Sequence, residues 1–366
     1  MAKDHYIPAS VLGRFSADQG GSARERVVLA LYKGRREPFP VRAKNIGYVN
    51  ELYDVSAVSL LHGQVLTSVD PYLHGYETAL PRALDLLENA ALVDMNTWLR
   101  TLVPYVASLF VRGHDFIPRY MSRPVMMALG TENTAENANL ARILELERLL
   151  APVCRARWVV AHRKGGEPFV INDLGMAATE DRVSSAFGRV IPIGPDTVLG
   201  IFPRKAHAVS AYHMGKWWPV IEHRLMDGVA AAGNFNDATA GTATSYVIGS
   251  DKQVMERLAP LVGQYANVGV IMDAFWRYPY QALKAHAWDW HRLVTATADN
   301  CAPEDLGDLQ IIDNAKFGAG WSPPLGFPIN MREFPTGLRL RGNVIYLTME
   351  SPSEYSKYLI RHPVSS

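Results

Sequence analysis

The stretch 158–173 constrains the fold of this chain more than any other. Two short runs rich in apolar and β-branched residues, Trp-Val-Val-Ala and Phe-Val-Ile, flank a turn centred on Gly165 and Gly166. Glycine accepts the positive φ that tight hairpin turns require, so the pattern predicts a β-hairpin. The second run ends in Asn172 and Asp173. A carboxylate at the end of a buried strand either caps a turn or belongs to a functional site.

Apolar spacing predicts the other elements. Short apolar runs bounded by turn residues predict strands at 27–32, 188–193 and 197–202, and a final hairpin at 338–348. Helical spacing predicts helices at 8–15, 92–109, 137–150, 233–249 and 251–261. In the helix at 92–109 we expect a continuous buried stripe, made of Leu92, Met95, Leu99, Leu102, Val106 and Leu109.

The order of these elements predicts the fold class. Helices that are segregated in sequence usually segregate in space. We therefore expect an α+β fold, in which a mixed or antiparallel sheet carries a layer of helices packed on one face. Residues 1–260 are predicted to form the core domain, and 261–366 a C-terminal extension packed on that core.

Composition limits the compartment and the partners. The chain has 366 residues, a net charge of +1 and only two cysteines, Cys154 and Cys301. This balance gives no global attraction to nucleic acid, which stays open as a partner only through a local basic patch. No apolar stretch has the length of a membrane span and the first residues do not resemble a secretory signal, so we expect a cytoplasmic protein with no membrane partner. Self-association into a homo-oligomer also stays open.

Several short motifs resemble those of a bacterial family known only as a domain of unknown function. That family has an N-terminal His-Tyr-x-Pro and a Phe-x-x-Ser-Asp-Asn-Pro segment, and its other landmarks lie between and after them. The matching positions here are His5-Tyr6-Ile7-Pro8, Asn45-Ile46-Gly47, Tyr53-Asp54, Glu77, Phe169-Val170-Ile171-Asn172-Asp173 and Pro192-Ile193-Gly194-Pro195. The chain departs from the family at Leu174-Gly175, where Asn-Pro is expected, and at Gly194, where serine is expected. The resemblance covers about residues 4–250 and implies no established activity.

Three residues are candidates for catalysis. His5 precedes a helix that begins with proline and would act as a general base or metal ligand, or else would tie the N-terminal segment into the fold. Glu77 would point into a cleft between helices and sheet, or else would be a solvated carboxylate in a first helical turn. Asp173 would bind a metal or orient a water molecule from a rigid strand end, or else would close a turn. We expect Asp173 to contribute more to function than to stability, and Asn172 the reverse.

These candidates suggest two functions of different classes. In the first, a metal-dependent hydrolase or nuclease, His5, Glu77 and Asp173 converge on one Mg²⁺ or Mn²⁺ ion, with Glu77 and Asp173 as its carboxylate ligands. The substrate-binding candidates are Arg163, Lys164, Arg204, Lys205 and Asn236. In the second, a non-enzymatic binding or regulatory module, the same residues only hold the fold. The sequence contains no phosphate loop, nucleophile elbow or His-Glu-x-x-His motif that would decide for an enzyme.

Overall fold

The computed structural model describes most of the first 264 residues and a short segment near the C-terminus. The continuous parts are 3–61, 64–70, 75–113, 156–181, 186–202, 210–213, 216–227, 229–264, 338–341 and 344–347. Isolated described positions are Leu73, Phe116, Asn139, Arg142, Leu146, Leu149, Val153 and Cys154.

Strands dominate the described parts, and the helices listed below lie near the N-terminus and within 80–109 and 229–258. The strands are β1 Lys3–His5, β2 Val27–Tyr32, β3 Phe39–Arg42, β4 Tyr48–Asn50, β5 Asp54–Leu61, β6 Gln64–Ser68, β7 Arg157–Lys164, β8 Ile171–Asn172, β9 Ala177–Asp181, β10 Ala186–Gly194, β11 Thr197–Phe202, β12 Ser210–His213, β13 Lys216–Pro219, β14 Ile221–Asp227, β15 Tyr246–Gly249, β16 Leu338–Arg341 and β17 Val344–Leu347. The helices are α1 Ala9–Leu12, α2 Leu80–Glu88, α3 Met95–Thr97, α4 Val103–Leu109, α5 Val229–Thr242 and α6 Lys252–Leu258.

A five-stranded mixed sheet forms the centre of the fold. Its strand order is β14-β7-β11-β10-β9, with β14 parallel to β7 and every other pair antiparallel. A second, antiparallel sheet has the order β3-β2-β15-β8. Smaller sheets pair β1 with β4 and β5 with β6, and a further four-stranded sheet has the order β13-β12-β17-β16. The predicted α+β class is confirmed, with several mixed and antiparallel sheets.

The predicted hairpin at 158–173 is wrong, although its turn is present. Gly165 and Gly166 have φ of +80° and +77°, as a tight turn requires. The strands on either side, however, pair elsewhere: β7 lies between β11 and β14, whereas β8 pairs with β15 in the second sheet. Both runs are buried on two faces, so their composition indicates strands without indicating which strand each one pairs with.

The helical segment at 92–109 packs on the mixed sheet through an edge-to-face contact. The rings of Trp98 and Trp158 lie 5.9 Å apart at 74°. Between α3 and α4, residues Trp98–Leu102 form a π-helical turn, and α4 follows with Pro104 in its first turn. Proline has no N–H and its ring collides with the carbonyl four residues earlier, and a wider turn at this point relieves both problems.

Burial confirms the apolar stripe with one correction. Met95, Leu99, Leu102, Val106 and Leu109 are all buried in the main core, but Leu92 is 73% exposed. Leu92 precedes α3, whose N-cap is Asp94. It therefore lies outside the helix, where helical spacing no longer determines the direction of its side chain.

The structure confirms some of the other predicted strands and helices and corrects the bounds of one helix. The strands at 27–32 and 197–202 and the hairpin of β16 and β17 are confirmed. The helix predicted at 233–249 begins earlier and ends at Thr242, and Tyr246–Gly249 is a strand instead. Four positions of the helix predicted at 137–150 are described, namely Asn139, Arg142, Leu146 and Leu149, and all four are helical and buried. Most of the C-terminal extension lies outside the described residues, so the domain division stays a prediction. No helix in the described parts is long and apolar enough to cross a membrane.

Candidate functional site

Asp173 lies at the end of β8 and binds the segment that leads into β15. Its side chain is fully buried. One carboxylate oxygen accepts the backbone N–H of Thr244 at 2.8 Å, and the other accepts the N–H of Ser245 at 2.6 Å and the hydroxyl of Thr244. The backbone N–H of Asp173 donates to the carbonyl of Tyr246 at 3.2 Å. These contacts favour the turn-capping interpretation of Asp173.

The side chain of Asn172 hydrogen-bonds different neighbours from those of Asp173. Its amide nitrogen donates to the carbonyl of Thr239 at 3.0 Å, and its oxygen accepts the N–H of Leu174 at 3.2 Å. Thr239 belongs to α5, so Asn172 joins β8 to that helix. Asn172 and Asp173 therefore both hold local structure, each toward a different neighbour.

Glu77 and His5 both contact a buried arginine, Arg112, which was not among the residues predicted from the sequence. Arg112 follows α4 and is fully buried. Its Nη1 lies 2.6 Å from Oε1 of Glu77, and its Nη2 donates to the backbone carbonyl of His5 at 2.6 Å. Nη1 also donates to the hydroxyl of Tyr76 at 2.9 Å. A guanidinium thus supplies positive charge between two of the three catalytic candidates.

His5 is buried, as the packing of the segment after it requires. It is 8% exposed, while Ile7 is fully buried beside it. β1, which contains His5, pairs with β4, and the imidazole lies 5.5 Å from the ring of Tyr48. The hydroxyl of the next residue, Tyr6, hydrogen-bonds that of Tyr246 at 2.7 Å. The N-terminal segment is therefore tied to the fold on both sides.

Further carboxylates lie near Arg112, and the pKa of one of them, Asp70, is raised. Burial and then repulsion from the Asp4 carboxylate raise the pKa of Asp70 to about 6, and Glu77 acts in the same direction. Asp4 accepts the backbone N–H of Tyr53 at 3.1 Å. A half-buried carboxyl with such a pKa can take up and release a proton near neutral pH. Structural networks of charged groups produce the same shift, so the pKa alone does not indicate catalysis.

The contacts of these residues can be compared with the requirements of a Mg²⁺ or Mn²⁺ site. Such ions need several carboxylate or carbonyl oxygens with their lone pairs directed at one point. The oxygens of Asp173 instead accept N–H and O–H donors, and Glu77 faces the guanidinium of Arg112. The described residues also contain no group of three or more His, Cys, Asp or Glu side chains that could hold a metal ion. As they are arranged, these residues do not fit such an ion.

Three substrate-binding candidates are described, and two of them hold turns. Arg163 donates to the carbonyl of Gly166 at 2.6 Å and forms an ion pair with Asp196. Asn236 is buried in α5, accepts the N–H of Val170 at 3.1 Å and donates to the carbonyl of Pro168 at 3.0 Å. Lys164 lies exposed at the end of β7. Arg204 and Lys205 lie outside the described residues.

A basic turn joins β2 to β3. In the segment 33–36, Lys33, Arg35 and Arg36 are exposed, and Gly34 has a φ of +82°. The turn is anchored because the N–H of Lys33 donates to the carbonyl of Ser245 at 2.8 Å. The strands that enter and leave the turn therefore keep the three cationic residues close together along the backbone.

Aromatic rings lie beside the basic turn. Tyr32, just before the turn, is partly exposed, and its ring stacks on that of Phe39 with centroids 5.7 Å apart and planes at 13°. The guanidinium of Arg35 lies over Phe39, 5.3 Å from the ring centroid. The surface thus combines positive charge with a partly exposed aromatic pair.

A shallow pocket of about 640 Å³ lies between the basic turn and the end of α6. Its lining combines the four residues of the turn with Glu256, Ala259, Pro260, Val262, Gly263 and Gln264. Glu256 is its acidic member, and Lys252 forms an ion pair with it at 3.5 Å. Because that partner balances the charge of Glu256, the positive charge of the turn is the main charge presented to a ligand. A Lys-Gly-Arg-Arg run was visible in the sequence, but the pocket was not.

No family model matches the chain, and searches of curated proteins and of solved structures find no significant match. The resemblance to the bacterial domain family stays a prediction that depends on short motifs.

Proposed function

We propose that this chain is a non-enzymatic binding module that takes a phosphate-bearing ligand, with single-stranded nucleic acid as the class that fits best. The observation that carries the proposal is the exposed turn at 33–36, where Lys33, Arg35 and Arg36 border a pocket beside Tyr32. Phosphate groups are bound by lysine and arginine, and unstacked bases are bound on tyrosine rings or guanidinium planes.

The contacts of the candidate residues support the non-enzymatic alternative. The carboxylate of Asp173 accepts three hydrogen bonds from within the fold. The side-chain amide of Asn236 hydrogen-bonds one backbone N–H and one backbone carbonyl, and Glu77 forms an ion pair with Arg112. A group that performs acid–base or metal chemistry needs a lone pair or a proton available to a substrate. These contacts therefore support the module interpretation over the hydrolase.

A local patch explains how an almost neutral chain would bind an anion. The net charge is +1, so electrostatic attraction at long range is weak. At short range, however, three cations within four residues give a positive local potential, which the exposed Glu37 after them reduces in part. Each contact with a phosphate also releases a bound counterion. The ligand would be recognised by its backbone charge and its flat bases, with little dependence on sequence.

Fluorescence anisotropy with a labelled single-stranded oligonucleotide tests the proposal. The double variant Arg35→Gln and Arg36→Gln should bind at least about tenfold more weakly than the wild type, because two phosphate contacts and a stacking plane are lost. The matched control is Arg82→Gln, which removes an exposed arginine from α2, away from the pocket. Equal binding by the wild type and the double variant would sink the proposal.

A Mg²⁺- or Mn²⁺-dependent hydrolase or nuclease is a second candidate. One observation favours it: burial, together with repulsion from the carboxylates of Asp4 and Glu77, raises the pKa of Asp70 to about 6. An ion there would compete with Arg112 for the carboxylates. Titration calorimetry with Mg²⁺ and Mn²⁺ decides this point, since heats that disappear in Glu77→Gln would support the enzyme, whereas identical titrations would end it.

Two finer expectations remain proposals alongside the function. We propose that the protein is cytoplasmic, which its two cysteines in 366 residues support. Self-association is a further proposal, and the partly exposed apolar side chains of Val27 and Val49 offer a surface that would suit it.

A further inference from the structure

We propose that His162 and His223 form a two-histidine binding site for a divalent transition ion such as Zn²⁺, Ni²⁺ or Cu²⁺. The site lies at the edge of the mixed sheet, on β7 and β14, and is independent of the basic turn. The two imidazoles face each other across neighbouring parallel strands, with Nε2 of His162 3.0 Å from Nδ1 of His223.

Strand register places both side chains on one face. His223 lies opposite Val160 and Leu225 lies opposite His162 in the parallel pair of β7 and β14. Because side chains alternate along a strand, His162 shares a face with Val160, and hence with His223. The rings stack with centroids 5.3 Å apart and planes at 17°. The backbone ladder between β7 and β14 therefore fixes the relative position of the two residues.

The separation of the two nitrogen atoms suits one shared ion. A Zn–N bond is about 2.0–2.1 Å long, so two nitrogens that bind one ion at 90–110° lie about 2.9–3.4 Å apart. The observed 3.0 Å falls in this range. Without an ion, these two nitrogens share a hydrogen bond, in which one ring donates its N–H to the other. To bind an ion, the rings reorient so that both lone pairs point at it, and the donating ring carries its proton on its other nitrogen instead. A neutral pair thus binds the ion without net release of a proton.

The environment keeps both rings in the form that binds metals. Burial lowers the pKa of His162, and burial together with the neighbouring His162 lowers the pKa of His223, so both favour the neutral imidazole. His223 is exposed, and so is Leu225 two residues further along the strand. Since no larger group of metal-binding side chains occurs in the described parts, water would complete the coordination. Imidazole suits Zn²⁺, Ni²⁺ and Cu²⁺, whereas Mg²⁺ and Mn²⁺ prefer oxygen ligands.

Titration calorimetry on untagged full-length protein tests the site with Zn²⁺ and Ni²⁺. His162→Gln and His223→Gln should each weaken one binding event by about ten- to a hundredfold, the range found even for residues that merely support metal ligands. The double variant should lose little more than either single variant, because both act on the same ion. Leu225→Gln, on the same strand and face, is the matched control and should bind like the wild type.

Two results would overturn the proposal. If neither single variant changes the titration, the pair binds no ion and is only a stacked contact between strands. If one variant weakens binding and the other leaves it unchanged, the ion is held by a single histidine. Thermal unfolding without metal, measured for each variant, separates lost binding from lost folding.

Discussion

The carboxylate of Asp173 accepts the backbone N–H of Thr244 at 2.8 Å, and this contact joins the end of β8 to the segment that enters β15. The two residues are separated by 71 positions in the chain. Ser245, which also donates to Asp173, accepts the N–H of Lys33 through its carbonyl. Asp173, a catalytic candidate in the sequence, therefore supports β15, which pairs with the strand that leads into the basic turn.

Asp173→Asn should lower the free energy of unfolding by about 2–4 kcal/mol. A buried carboxylate that accepts several donors contributes more than a neutral acceptor, and an amide brings an NH₂ group against one of those donors. Urea denaturation measures the change. Thr244→Val, which removes the hydroxyl donor and keeps the backbone N–H, should cost about 1 kcal/mol. A loss below about 1 kcal/mol for Asp173→Asn would contradict the structural role.

Leu102→Ala and Leu92→Ala should differ sharply although both remove the same atoms. Leu102 is fully buried, so the truncation leaves a cavity and should cost about 2–5 kcal/mol. Leu92 is largely exposed, so the same change should stay within about 0.5 kcal/mol. Chemical denaturation of both variants gives the comparison. Similar losses at the two positions would show that the packing of the segment 92–109 is wrongly assigned.

Asp70→Asn should flatten the dependence of stability on pH. The pKa of Asp70 is raised to about 6, above the usual value of about 3.9 for an aspartate in an unfolded chain, so the folded state holds the proton more tightly. The linked stability is fully present below about pH 4 and is lost as the pH rises through about 6. Relative to wild type, the variant should therefore gain melting temperature between pH 4 and pH 7. Parallel melting profiles for the two proteins would contradict this origin of the pH dependence.

The local sequence pattern predicts where strands lie better than it predicts which strands pair with each other. The strand at 197–202 was predicted at its observed bounds because turn residues, Gly194-Pro195-Asp196, precede it and its own residues are apolar. The two-residue strand β8 was assigned to a hairpin because nothing near it indicates β15, more than 70 residues away, as its partner. Sheet pairing depends on such distant contacts, and composition does not record them.

The side-chain contacts of the candidate site also depend on residues far apart in the chain, which the local sequence does not indicate. His5 and Glu77 were selected from the sequence, and both contact Arg112. Arg112 itself lies in an ordinary Val-Arg-Gly segment, and its burial follows from packing against residues far along the chain. The basic run at 33–36 was visible from the sequence, but the pocket beside it depends on the end of α6, more than 200 residues later.

The salt dependence of oligonucleotide binding tests the binding-module account most directly. Three phosphate contacts, by Lys33, Arg35 and Arg36, predict a slope of log K against log salt concentration of about −2, since each contact with a single strand contributes about −0.7. The double variant Arg35→Gln and Arg36→Gln should reduce the slope to about −0.7, while Arg82→Gln should leave it unchanged. A wild-type slope near zero, or the same slope in the double variant, would contradict the account.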